Sequence, residues 1–191
     1  MPPWPSADPD PPGLPDDAAA VLLPLARAAV AAELGIDRPA DDSPRWLAEP
    51  GACFVTLHTA GRLHGCIGTI WPTRPLRENA RAAATRDRRF PPLTRPELAD
   101  TVIEVSVLSP TEPIAAGTEA QALAALRPGL DGVVLECGRR RATLLPQVWS
   151  TLADPQEFLA HLRVKAGLPR DFWSTAVRVS RYAVTELREE R

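Results

Sequence analysis

Residues 63–69 read LHGCIGT and place one cysteine, Cys66, between two glycines. A thiol can act as a nucleophile or as a redox group, and a histidine two residues away, His64, can handle the proton. Glycines inside a strand, here Gly65 and Gly68, cost stability and indicate a bulge, a bend or the close approach of other atoms. They would leave the sulfur uncrowded and the neighbouring amides accessible to a ligand. We therefore predict a small-molecule or peptide site centred on Cys66.

The same residues allow a second interpretation. A buried cysteine at the centre of a strand behaves as a small apolar residue and is usually inert. In an extended strand Cys66 and His64 share a face, but their Cβ atoms lie roughly 6–7 Å apart, so direct contact needs a bulge. A two- or four-residue turn would pair Val55 with Cys66 and Leu57 with His64, whereas a three-residue turn would shift this register. Catalysis and non-catalytic binding both remain open.

A polar loop at residues 87–92, DRRFPP, supplies two more candidates. Prolines end any helix there and stiffen the loop, and rigid loops often carry functional side chains. Asp87 and Arg89 are therefore predicted ligand-binding residues. The alternative is a local ion pair that only fixes the loop.

Two candidates come from the second half of the chain. Glu136 follows an apolar run and would serve as a general base if it lay near Cys66, or else is an exposed carboxylate at a strand end. Lys165 is the single lysine of the chain, so it is a candidate for binding a ligand as a point charge. Alternatively, it complements the dipole at the end of its helix.

The elements that position these residues follow from local patterns. Apolar periodicity, caps and turn residues predict helices at 16–35, 75–85, 94–100, 119–126 and 155–166, hairpins at 53–70 and 132–145, and strands at 102–108 and 176–187. Helices and hairpins alternate without a regular βαβ rhythm, so the expected class is α+β, a largely antiparallel sheet flanked by helices, with room for a smaller second lobe. Residues 1–15 contain seven prolines and are predicted to be a disordered tail preceding one domain, 16–191.

Composition narrows the classes of function. A net charge of −2 and few aromatic residues argue against nucleic-acid binding, although residues 62–95 hold eight arginines against two acids, a formal +6. The sequence contains no apolar run long enough to indicate a membrane span, and its first residues lack the features of a signal peptide. Together with these features, three cysteines without paired spacing favour a reducing cytoplasm. No pair of candidate ligands has a recognised metal-binding spacing, so no metal site is predicted, and no cofactor is expected.

Four ordered blocks resemble the AMMECR family, and the similarity runs from about residue 22 to residue 186. They are 63–68 (L-R-G-C-I-G in the family), 87–92 (D-x-R-F-P-P), 132–136 with 145–148 (a hairpin and its LPxV exit), and 158–159 with 165–168 (FL…KAGL). The resemblance implies a mixed α+β fold with a groove beside the hexapeptide and an undetermined biochemical role. It also implies association with a Memo-like protein and a radical S-adenosylmethionine enzyme in a modification pathway.

This sequence departs from the family hexapeptide at one position, where His64 replaces an arginine. An imidazole is only partly protonated at neutral pH, so His64 would hold an anion less firmly than arginine would. The function expected from the resemblance is a component of that pathway with its site at Cys66. The alternative is a non-catalytic binding or scaffold protein that uses the same groove.

Overall fold

The structure is a computed structural model that describes residues 14–83 and 87–190, so most of the predicted tail lies outside the described residues. The helices are α1 (Ala18–Glu33), α2 (Leu76–Ala83), α3 (Glu119–Ala125) and α4 (Pro155–Lys165). The strands are β1 (Ala52–Thr59), β2 (Arg62–Thr69), β3 (Thr101–Leu108), β4 (Glu112–Ile114), β5 (Gly132–Cys137), β6 (Arg140–Leu144), β7 (Val177–Tyr182) and β8 (Val184–Arg188). The predicted helix at 94–100 is a short 3-10 segment, Pro96–Asp100.

The α+β class is confirmed, with the described strands divided between two four-stranded sheets. One has the order β2-β1-β3-β8 and the other the order β4-β7-β5-β6. The contacts divide the described residues into a first unit, 14–83, 87–108 and 185–190, and a second unit, 109–184. Within the described ranges, no helix combines the length and the apolar composition that crossing a membrane requires.

In the first unit, α1 packs on one face of the β2-β1-β3-β8 sheet. Its apolar stripe includes Leu22, Leu25 and Val30, which are buried against the β1 residues Val55 and Leu57. This burial removes apolar surface from water and is the main term that holds the helix to the sheet. The helix predicted at 16–35 is confirmed as α1.

The hairpin of β1 and β2 has a two-residue turn and a bulge. Ala60 and Gly61 turn the chain with φ of 50° and 75°, the left-handed conformation that matches the twist of a hairpin. The register then shifts, because Leu57 lies opposite Gly65 while His58 lies opposite Leu63. His64 is thus the extra residue of a bulge in β2.

The bulge makes the predicted pairing wrong. Cys66 lies opposite Thr56, not Val55, and Leu57 lies opposite Gly65, not His64. A shift of one residue moves a side chain to the other face of a sheet. Cys66 therefore shares its face with Thr56, while Val55 and Leu57 point into the core.

In the second unit, the predicted caps and the second hairpin are confirmed. Thr118 caps α3 in a capping box with Gln121, and the Asp154 carboxylate caps α4 by accepting from the N–H of Gln156. The single strand predicted at 176–187 is wrong. It is broken at Ala183, which exchanges hydrogen bonds with Ser109, so that β7 and β8 belong to different sheets.

Candidate functional site

A cavity of about 360 Å³ lies in the first unit beside β2. Its walls come from the C-terminal end of α1, the core-facing side chains of β1, the middle of β2 and the loop at 87–93. The apolar part of the lining includes Leu34, Val55, Leu57, Ile67 and Phe90. The size and the largely apolar lining with a few polar groups are typical of sites for small ligands.

The polar loop is fixed to β2 through the backbone of Cys66. The Asp87 carboxylate accepts from the Cys66 N–H at 3.1 Å and from the Arg89 N–H at 3.0 Å. The Arg89 guanidinium donates to Asp87 and to the Cys66 carbonyl, the latter at 3.0 Å. Because β2 is an edge strand, both of these Cys66 backbone groups would otherwise lack a partner. Asp87 and Arg89 therefore make the hydrogen bonds to Cys66 that a neighbouring strand would otherwise make.

Charge reinforces this connection. Hydrogen bonds from Arg89 in the first place, and those from the backbone of Cys66 and Arg89, hold the pKa of the Asp87 carboxyl well below its usual range. Asp87 in turn raises the pKa of Arg89. The Asp87 side chain is only 7% exposed, whereas the Arg89 side chain is 70% exposed. The loop is therefore held by an ionised carboxylate throughout the neutral range, and Arg89 also faces solvent.

Each of the two glycines of the hexapeptide occupies a position where a side chain would be too close to a neighbouring group, and the neighbouring group differs between them. A Cβ on Gly68 would lie 2.2 Å from the Cys53 carbonyl oxygen and 2.5 Å from the Phe54 Cα. A Cβ on Gly65 would lie 3.3 Å from the Asp87 Cβ. Gly68 therefore lets β2 approach the β1 backbone, and Gly65 leaves room for the loop. The expectation of free amides is wrong for Cys66, whose N–H is bound to Asp87.

The thiol of Cys66 lies on the sheet face opposite the cavity's apolar wall. The Thr56 hydroxyl donates to its Sγ at 3.3 Å, as expected for residues paired across two strands. Val55 and Ile67 alternate with these residues and point to the other face. We infer that Cys66 borders the cavity through its backbone. By contrast, Cys53 is buried in the core, and this burial raises the pKa of its thiol to about 12.

His64 lines the cavity and also carries a buried polar atom without a partner. Its Nε2 has no hydrogen-bond partner among the described residues. A buried polar atom without a partner is costly. The carboxyl of Glu97 lies close enough that His64 contributes to lowering its pKa, although the hydrogen bonds from Thr94 contribute most.

The remaining predicted residues belong to the second unit. Glu136 lies on β5 at the end of an apolar run, and its carboxylate is 3.9 Å from the guanidinium of Arg141. Lys165 ends α4 and donates from Nζ to the Thr143 carbonyl at 2.9 Å. The structure therefore groups Cys66 with His64, Gly65, Gly68, Asp87 and Arg89 in the first unit. Catalysis by Glu136 and ligand binding by Lys165 stay predictions.

Sequence reasoning missed the apolar wall of the cavity. Leu34, Val55 and Leu57 have the residue types and spacing of ordinary core positions, and no local signal separates a cavity wall from a packed core. Phe90 also lines the cavity, together with the two prolines that follow it. The one available signal was the aromatic residue and the two prolines immediately after Arg89.

Comparison with known proteins gives one consistent match. A family model described as AMMECR1 matches residues 23–187. A protein of Methanothermobacter thermautotrophicus is 39% identical over 183 residues, covering 91% of this chain and 95% of that protein. A protein of Thermotoga maritima is 42% identical over 137 residues, covering 69% and 74%. The crystal structure of an uncharacterised protein from Pyrococcus horikoshii aligns with a TM-score of 0.74 at 37% identity, covering 88% of this chain and 90% of that one.

Proposed function

The chain belongs to the AMMECR1 family, and on that basis we propose that it is a binding component of a modification pathway, holding a small molecule or a peptide side chain in the cavity beside β2. The observation that carries the proposal is the cavity itself, about 360 Å³ and largely apolar. His64 also lines the cavity, and its buried Nε2, which has no hydrogen-bond partner among the described residues, would be satisfied if the imidazole turned toward a polar group of the ligand. The cavity also lies beside the hexapeptide, where the family resemblance implies a groove.

Catalysis by Cys66 is the second candidate function. The Thr56 hydroxyl, 3.3 Å from Sγ, supports it as a group that could assist a reacting thiol. In this alternative His64 would accept the proton. The geometry favours binding, because strand alternation turns the sulfur away from the apolar wall that would hold the ligand.

We also propose that the bound group is presented to a radical S-adenosylmethionine enzyme and a Memo-like protein. Support for these partners comes from the family resemblance alone. A binding component suits such a pathway, because radical enzymes act on a substrate held in a defined position. In this proposal the cofactor chemistry belongs to the partner, and the cavity supplies orientation.

The substitution Ile67→Trp tests the cavity as the binding site. The larger side chain would occupy space that the ligand needs, so we expect at least ten-fold weaker binding. The probes are a panel of aromatic and branched aliphatic carboxylates, amides and amines, screened by ligand-observed NMR against the wild-type protein. The affinity of the strongest panel member is then measured for each variant.

Leu63→Trp is the matched control, since it adds the same group to the same strand outside the cavity lining, at a residue that is 49% exposed. We expect wild-type affinity for this variant, and a melting temperature within a few degrees of the wild-type value for both. If no panel member binds saturably, or if Ile67→Trp binds as well as the wild type, the cavity is not the site.

A further inference from the structure

The open edge of β2 has a second pair of backbone groups beyond those of Cys66. The bonds of Cys66 to Asp87 and Arg89 show that its N–H and C=O point away from β1. In an antiparallel pair this orientation repeats every second residue, so the N–H and C=O of Gly68 point off the same edge. Gly68 is exposed, and among the described residues no strand covers β2 on that side.

These two groups of Gly68 are a template for an added strand. Edge strands with unpaired N–H and C=O groups recruit extended peptides by continuing the ladder. A peptide residue opposite Gly68 would exchange two hydrogen bonds with it. The adjoining peptide residue, opposite Ile67 or Thr69, would then direct its side chain to the face on which Ile67 lines the cavity.

The charge around β2 favours an acidic peptide. In the sequence, residues 62–95 carry eight arginines and two acids, a formal +6. Of the described residues, Arg81 is paired with Asp42, and the acid Glu33 also lines the cavity. One of the acids, Asp87, is already engaged by Arg89. Arg88 lies at the cavity wall and is exposed, and Arg62 begins β2 and is exposed as well. Complementary charge speeds association and selects among partners.

We propose that the occupant of this site is an extended acidic peptide, which pairs with Gly68 as an added strand and places one apolar side chain in the cavity. This inference rests on the proposed function, because it assumes that the cavity binds a ligand. It narrows the ligand to a peptide, since a free small molecule would fill the cavity without needing the backbone groups of Gly68.

The test begins with a library of random heptapeptides displayed on phage and selected on the wild-type protein. We expect enrichment of sequences with one apolar residue flanked by aspartate and glutamate. A synthetic copy of the most enriched peptide should slow amide hydrogen exchange at Gly68 at least ten-fold. N-methylation of the single peptide residue that faces Gly68 should weaken binding at least ten-fold, while N-methylation of its two neighbours should leave affinity within two-fold.

Each other outcome overturns a defined part of the inference. If members of the small-molecule panel bind but no peptide is enriched, the peptide proposal fails while the proposed function stands. If peptides bind and exchange at Gly68 is unchanged, strand addition is wrong. Ile67→Trp should lose peptide binding and Leu63→Trp should keep it, and equal binding by both would show that no side chain enters the cavity.

Discussion

Gly68→Ala is expected to lower the free energy of unfolding by about 3 kcal/mol, the upper part of the range for forcing an atom into a well-packed region. The added Cβ would lie 2.2 Å from the Cys53 carbonyl oxygen and 2.5 Å from the Phe54 Cα. Both are backbone atoms of β1, so no side-chain rotation relieves the contact. β1 and β2 would have to separate at the point where β2 forms the wall of the cavity.

Urea unfolding followed by circular dichroism measures this effect. Gly61→Ala is the matched control in the same hairpin, because a Cβ there meets nothing within 4 Å. Gly61→Ala should lower the free energy of unfolding only through the backbone conformation, by about 1–2 kcal/mol for a left-handed φ. If Gly68→Ala costs no more than Gly61→Ala, the close approach of the two strands is wrong.

Asp87→Asn is expected to weaken binding of the strongest panel probe at least ten-fold. The carboxylate accepts from the backbone of Cys66 and from the backbone and guanidinium of Arg89, and an asparagine amide cannot accept all of these donors. The loop that forms one wall of the cavity would lose its attachment to β2. Amide exchange at Cys66 should accelerate together with the loss of affinity.

The control for Asp87→Asn is Asp42→Asn, the same chemical change at an ion pair with Arg81 in which both side chains are about half exposed. Exposed pairs of this kind contribute little, so affinity should be unchanged. Equal losses in the two variants would mean that general charge, and not the attachment of the loop, controls binding.

The low pKa of Asp87 fixes the pH dependence of this effect. A carboxyl with a depressed pKa stabilises the fold above its unfolded value, about 3.9, and loses that contribution as the pH falls through its lower folded value. The difference in melting temperature between the wild type and Asp87→Asn should therefore be constant from about pH 5 to about pH 8. Below about pH 4 it should shrink. If this difference in melting temperature changed in the neutral range, Asp87 would not have the low pKa assigned to it.

Local sequence signals were sufficient to predict most of the helices and strands. The cap at Asp154 with Pro155 predicts the start of α4, and the turn at Gly138 predicts the second hairpin, because these features act over a few residues. The register of β2 could not be predicted. The bulge at His64 follows from how β2 packs on β1 and the loop, and no residue type specifies it.

The site was predictable in part. The glycines that flank Cys66 indicated β2, and the proline-bounded loop indicated Asp87 and Arg89. The bonds from this loop to the Cys66 backbone depend on β2 being an edge strand, which is a property of the sheet and not of the segment. The break at Ala183 also depends on the sheets and not on the segment, because a continuous β-forming run is divided there between two sheets.

The affinity of Cys66→Ala for the strongest panel probe tests most directly whether Cys66 acts through its backbone. Alanine retains the N–H and C=O that Asp87 and Arg89 bind, and it removes only the sulfur beside Thr56. We expect binding within two-fold of the wild type, with Ile67→Trp measured alongside and at least ten-fold weaker. Loss of binding in Cys66→Ala, with its melting temperature unchanged, would show that the thiol itself contacts the ligand and would contradict the inference that Cys66 acts through its backbone.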